Sequence, residues 1–317
     1  MLNIRRILLA VLVLLVWSGV PGGEATAASP GSQAPTVGLV MKTLTNPFFV
    51  EMEKGARRAE KEFGVRLRVK TGAKETSIDQ QIAIVEEMIR EKVAAIVIAP
   101  GSSTELVPVL KKAQDAGIPI VNIDNRLDPG LSKRMGLRDV PFVSGDNVQG
   151  AYLSAAHIAR MAVGPAKAAL LEGIRSAANA EERKQGAFKA FAEQKQVTVV
   201  AMETANWKID EANAVAAKLF KEQPDISLLF CANDMMALGA IQYLQTAGKS
   251  HVLVAGYDAI DEALRAVRDG KLQATIDQQA AQQGFIGVRY AVDLLKGRRP
   301  PLETFVEVKL ITRATLP

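Results

Sequence analysis

The sequence predicts an α/β fold of two similar lobes, each a doubly wound parallel sheet, joined by a hinge that the chain crosses several times. Three observations carry this expectation. First, two stretches are built to one plan. One runs A-A-I-V-I-A-P at 94–100, a helical pattern over 103–116, A-G-I-P at 116–119, then I-V-N-I-D ending at Asp124. The other runs S-L-L-F-C-A-N-D at 227–234, a helical pattern to Thr246, A-G-K at 247–249, then V-L-V-A-G-Y-D ending at Asp258. Each reads as a strand, a helix stopped by glycine and a strand ending in a carboxylate, which is a βαβ unit. Second, strand-like and helical patterns alternate along the whole chain, as in parallel sheets. Third, runs such as Ile96-Val97-Ile98 and Leu228-Leu229-Phe230 are continuously apolar, as strands covered on both faces are.

In order, strands are predicted at 36–41, 65–70, 94–99, 119–123, 141–144, 167–172, 197–202, 227–231, 252–256 and 273–277. Helices are predicted between most of them, at 47–63, 78–91, 103–116, 146–162, 181–194, 210–222, 233–246, 260–269 and 279–296. Pro47 suits the first turn of the first helix and Asn46 the cap before it. Asn233 fills the same capping place before the helix at 233–246. No low-complexity linker follows residue 36, so the lobes must meet at ordered crossovers near Ser144-Gly145, near Asp277-Gln278 and, if the last strand returns, near residue 305. This divides the chain into a leader at 1–27, a first lobe of 36–145 plus 279–304, and a second lobe of 146–278 plus 305–317.

The leader is read from Arg5 and Arg6, an apolar run from Ile7 to Trp17, and A-T-A at 25–27. A basic start, a short apolar core and small residues at the cut describe a secretory signal. The apolar run is too short to span a bilayer. The single cysteine, Cys231, excludes an intramolecular disulfide framework in an exported chain. It is not near the cleavage site, so no N-terminal lipid is expected. A soluble periplasmic protein follows. The net charge of +5 is modest and dispersed, with no basic helix face, so nucleic acid is not an expected partner. Dinucleotide, Walker A and G-x-S-x-G signatures are missing, and the two histidines have no metal-ligand company. No cofactor, metal or catalytic residue is expected.

Ligands of open α/β sheets bind just past the carboxyl ends of the strands. Polar or aromatic residues stand at several such ends. Lys42, Asn46, Phe48 and Phe49 follow the first strand; Asp124 and Asn125 end another. Asn233, Tyr257-Asp258 and Gln278 close three more, and Trp207 falls in a strand-to-helix loop. Phe48 and Phe49 cannot share one helix face, so at least one is expected to look into the cleft. Aromatic faces cover the C–H face of a sugar while amides and carboxylates read its hydroxyls.

With these motifs in view the chain resembles the periplasmic solute-binding proteins of the ribose, galactose and allose type, receptors of ABC sugar importers with the type I binding-protein fold. The resemblance rests on K-T-L-T-N-P-F-F at 42–49, P-I-V-N-I-D at 119–124, S-G-D-N at 144–147, C-A-N-D-M-M-A-L-G at 231–239 and A-T-I-D-Q at 274–278. It is nearest to the D-allose-binding type. It implies a non-enzymatic, monomeric receptor that passes a monosaccharide or small polyol to permease subunits, or alternatively to a chemoreceptor or sensor kinase. A repressor-type effector domain and a secreted enzyme are the remoter alternatives. It also implies three departures from ribose-type members: Lys42 in place of Ser, Asn125 in place of Arg, and Glu181 aligned with an Arg. Together these point away from ribose and toward an allose-like hexose.

Overall fold

The computed structural model describes residues 34–316; the leader expected at 1–27 lies outside them. The chain runs β1(Thr36–Met41), α1(Pro47–Phe63), β2(Arg66–Thr71), α2(Ile78–Arg90), β3(Ala95–Ile98), α3(Val107–Asp115), β4(Ile120–Ile123), α4(Pro129–Met135) and β5(Phe142–Gly145). It continues with α5(Asn147–Met161), β6(Ala166–Glu172), α6(Ala178–Ala192), β7(Val197–Thr204), α7(Ile209–Glu222), β8(Ile226–Cys231), α8(Asp234–Thr246), β9(Leu253–Ala255), α9(Asp261–Arg268) and β10(Ala274–Asp277). The last elements are α10(Ala280–Leu295), β11(Glu303–Val306) and β12(Lys309–Thr312).

The strands form two six-stranded sheets, ordered β11-β5-β4-β3-β1-β2 and β12-β10-β9-β8-β6-β7. All pairings in the first sheet are parallel. In the second only β12 is antiparallel, against β10. The reason is local: β12 follows β11 after two residues, which is too short for the helical crossover that a parallel strand needs. Strand residues of β3, β4 and β8 are almost wholly buried, because helices cover both faces of each sheet.

The chain passes between sheets after β5, after β10 and between β11 and β12. The third passage lies at 307–308 rather than near 305, since β11 pairs along its full length with β5 as far as Val306 and Gly145. The return of α10 to the first sheet is sealed by close helix packing. A Cβ on Gly55 of α1 would stand 1.7 Å from Ala281 O, and one on Gly284 of α10 would stand 2.1 Å from Met52 O. Only glycine lets these two backbones touch.

Three sequence expectations about helices need correction. α3 starts at Val107, four residues after the expected 103. α4 was not expected, although its signals are present: Asp128 caps Leu131 N–H, Pro129 stands in the first turn, and Gly136 closes it at φ 74°. At seven residues it has no room for an apolar period to show. α6 starts at Ala178, three residues before the expected 181. Its cap residue is Ala177, which offers no side-chain acceptor. Among the described residues no helix is long and apolar enough to cross a membrane.

A candidate ligand site between the lobes

The carboxyl ends of both sheets face one cavity. From the first lobe come Lys42, Asn46, Phe48, Phe49, Glu75 and Asp124; from the second come Asn179, Arg183, Trp207, Asn233, Asp258 and, at the β10 crossing, Gln278.

The first-lobe side is fixed by the start of α1. Asn46 Oδ1 accepts from Phe48 N–H at 3.1 Å, and its Nδ2 donates to Glu75 Oε1 at 2.9 Å. One side chain thus caps the helix and holds a carboxyl at the cavity wall. Phe48 and Phe49 pack edge to face, with centroids 5.1 Å apart, and both rings reach the cavity. Lys42 Nζ lies 2.8 Å from Asp124 Oδ2, both side chains being 2% exposed.

The second-lobe side is organised by Arg183. Its guanidinium lies 3.8 Å from the centre of the Tyr257 ring and 5.5 Å from that of Trp207. Nε donates to Asn147 Oδ1 at 2.9 Å and an Nη to Ala232 O at 2.8 Å, while the Asp258 carboxylate stands 3.5 Å away. Asp258 also accepts from Gln278 Nε2 at 2.7 Å. Asn233 caps α8 through Met236 N–H at 2.9 Å and ties down the Trp207 carbonyl at 3.3 Å. The indole rests on Gly173, where an added Cβ would come within 2.0 Å of the ring.

Three lining residues hold backbone conformations that side chains rarely adopt: Asp124 at φ 63°, Trp207 at φ 65° and Asp258 at φ 122°. Such strain persists where surrounding structure enforces it and is concentrated at functional sites. Three buried polar atoms on the lining, Asp124 Oδ2, Asn179 Oδ1 and Trp207 Nε1, have no hydrogen-bond partner, and of these only Asp124 Oδ2 is met by an ion pair, with Lys42. Buried polar atoms are rarely left so. An acceptor and a donor are therefore offered to whatever enters.

The lobes are drawn tightly together. The lining side chains leave only narrow slots between the lobes. A ligand larger than these slots requires the lobes to part.

Two cations and three carboxylates meet here, and burial weighs on Glu75 and Asp258. Burial pushes Glu75 up to about 7, against the pull of Lys42 and the Asn46 hydrogen bond, with Asp124 adding to the rise and Arg183 opposing it. Burial also raises Asp258, opposed by Arg183 and Gln278. The consequence for Glu75 has a definite sign. Its folded pKa exceeds its ordinary 4.5, so its contribution to stability is full below pH 4.5 and is lost as pH rises through about 7. The loss amounts to about 3 kcal/mol at most. Calorimetric melting of wild type and Glu75→Gln across that window is expected to show the wild type falling relative to the variant. Parallel curves would mean that Glu75 titrates normally.

Three sequence-predicted site residues do not line the cavity. Glu181 is half exposed and paired with Lys184. It sits two residues from Arg183 on α6, hence on nearly the opposite helix face. The arginine that does line the cavity is Arg183, two positions further on. Asn125 is fully buried beside the cavity and bonds to Pro100 O, Ser103 Oγ and Asn179 N–H. Tyr257 is buried behind Arg183, supporting its guanidinium. Conversely, Glu75, Asn179 and Arg183 were missed. Glu75 lies in a loop that carries no motif, and Asn179 precedes the expected helix start.

The family model described as the periplasmic binding protein domain matches residues 37–299. The chain is 42% identical over 305 residues to the D-ribose/D-allose-binding protein of Pseudomonas aeruginosa, covering 94% of this chain and 93% of that one. It is 35% identical over 276 residues to the D-allose-binding periplasmic protein of Escherichia coli, covering 86% of this chain and 89% of that one. Among solved structures, an ABC transporter periplasmic solute-binding protein of Actinobacillus succinogenes with bound D-allose superposes with a TM-score of 0.84 at 37% identity, covering 89% of this chain and 98% of that one. The paired parallel sheets, the three passages between them and these likenesses agree: the chain belongs to the periplasmic binding protein family.

Proposed function

We propose that the cavity holds one monosaccharide and that this chain is the periplasmic receptor of an ABC sugar importer. The observation that carries the sugar reading is the lining itself. Aromatic rings from both lobes, Phe48, Phe49 and Trp207, share one small cavity with buried carboxylates, amides and two cations. Rings cover C–H faces while the polar groups exchange hydrogen bonds with hydroxyls, which both donate and accept. On entry the hydroxyls would insert between Lys42 and Asp124 and between Arg183 and Asp258, replacing charge pairing with charge-assisted hydrogen bonds.

In this reading the protein is exported with loss of residues 1–27, acts as a monomer, binds without chemical change and delivers its sugar to permease subunits. D-allose is the first choice of ligand. The P. aeruginosa and E. coli relatives carry allose in their names, and the A. succinogenes structure contains it. Ribose is not set aside. Of the three departures from ribose-type members, those at Asn125 and Glu181 fall away because neither residue lines the cavity; only Lys42 remains. A thermal-shift panel of aldopentoses, aldohexoses and polyols on refolded mature protein tests the reading, refolding being needed to remove any co-purified sugar. A clear rise with D-allose supports it. A flat response to every sugar and polyol would refute it.

A further inference from the structure

Helix α6 begins without a cap of its own. Its N-cap residue is Ala177, and among the described residues no side chain of the second lobe accepts from its first turn. The opening N–H groups of a helix need acceptors. Here two of them find acceptors on the opposite lobe. Ala178 N–H donates to Ser103 Oγ at 2.9 Å, and Asn179 N–H donates to Asn125 Oδ1 at 3.1 Å. Next to them Ser103 N–H donates to Ser176 O at 3.0 Å. The first lobe pre-sets both acceptors: Asn125 Nδ2 donates to Pro100 O at 3.0 Å and to Ser103 Oγ at 3.3 Å, which turns the amide oxygen toward α6.

These three cross-lobe bonds, and a fourth from Asn179 Nδ2 to Asp124 Oδ1 at 3.4 Å, exist only while the lobes are together. When they part, the first turn of α6 is returned to water. That turn carries Asn179, and Arg183 follows one turn later; both line the cavity, whereas Ser103 and Asn125 do not.

We propose that Ser103 and Asn125 are positioning residues that cap α6 across the cleft, so that closing the lobes completes a helix and sets Asn179 and Arg183 in their binding positions. The cap adds affinity without touching the ligand, by stabilising the closed form that holds it against the open form. Its effect falls on dissociation, because the ligand enters the open form, in which these bonds are absent, and leaves the closed form by breaking them.

The binding readout rests on the sugar-receptor reading; a conformational readout does not. With D-allose as probe, Ser103→Ala is expected to dissociate about tenfold faster at a nearly unchanged association rate, the scale of a lost helix cap. Its unliganded melting temperature should match wild type, and Ser103→Thr, which keeps a hydroxyl, should restore slow dissociation. Unchanged dissociation in Ser103→Ala would overturn the inference. So would an equal fall in the stability of liganded and unliganded protein, which would place the role of Ser103 within its own lobe. Independently, spin labels at Lys112→Cys on α3 and Lys218→Cys on α7, both exposed positions in different lobes, report lobe separation without sugar. Should D-allose fail to bind wild type, the sugar reading fails and these distances decide alone: longer separations in Ser103→Ala support the cross-lobe cap, and identical distributions reject it.

Discussion

Arg183→Ala is expected to abolish measurable ligand binding and to lower folding stability by about 3–5 kcal/mol, the range for removing one partner of a buried charge pair. The guanidinium is 3% exposed, bonds to Asn147 and the Ala232 carbonyl, stacks on Tyr257 and faces Asp258. Its loss leaves Asp258 buried with only Gln278 as a side-chain donor. Asp258 would then meet its burial by holding a proton, since Arg183 is the main influence opposing its raised pKa. Asn147 Oδ1, at the first passage between lobes, would lose the donor Arg183 supplies. Denaturant unfolding measures the stability term and calorimetry the binding term. A variant that binds D-allose as tightly as wild type would remove Arg183 from the site.

Asp124→Ala should come second in effect, again by about 3–5 kcal/mol, because it strands the Lys42 ammonium at 2% exposure. Some of that loss is recoverable. Asp124 is one of the groups that raise the Glu75 pKa, so without it Glu75 ionises more readily and can face Lys42 in its place. The pH dependence of stability attributed to Glu75 should therefore weaken in Asp124→Ala. Asp261→Ala, at the exposed start of α9, is the control and should change stability by no more than about 0.5 kcal/mol. Equal effects of the two substitutions would show that Asp124 is not the buried counter-charge the geometry describes.

The fold was legible because its signals are local and repeated. Continuous apolar runs, glycine stops and strand-end carboxylates recur in both lobes, and each reports a strand buried on two faces. Cavity-lining residues at strand ends were legible for the same reason: Asn46, Asp124, Asn233, Asp258 and Gln278 stand where a parallel sheet must present side chains. What stayed hidden depends on contacts between parts distant in sequence. The start of α6 has no cap in its own sequence, since its acceptors are Ser103 and Asn125, more than fifty residues earlier. Misplacing that start hid Asn179. Asn125 follows Asp124 directly, yet its amide turns to the helix cap and not to the cavity. Glu75 enters the site only because Asn46, across the sheet, draws it there.

The central claim is that one small sugar is held between the lobes by groups from both. Calorimetric titration of the refolded mature protein with D-allose, run beside Arg183→Ala, tests it most directly. The expected result is a saturable heat with one sugar per chain that disappears in the variant. No saturable heat in the wild type, or a titration that Arg183→Ala leaves unchanged, would contradict it.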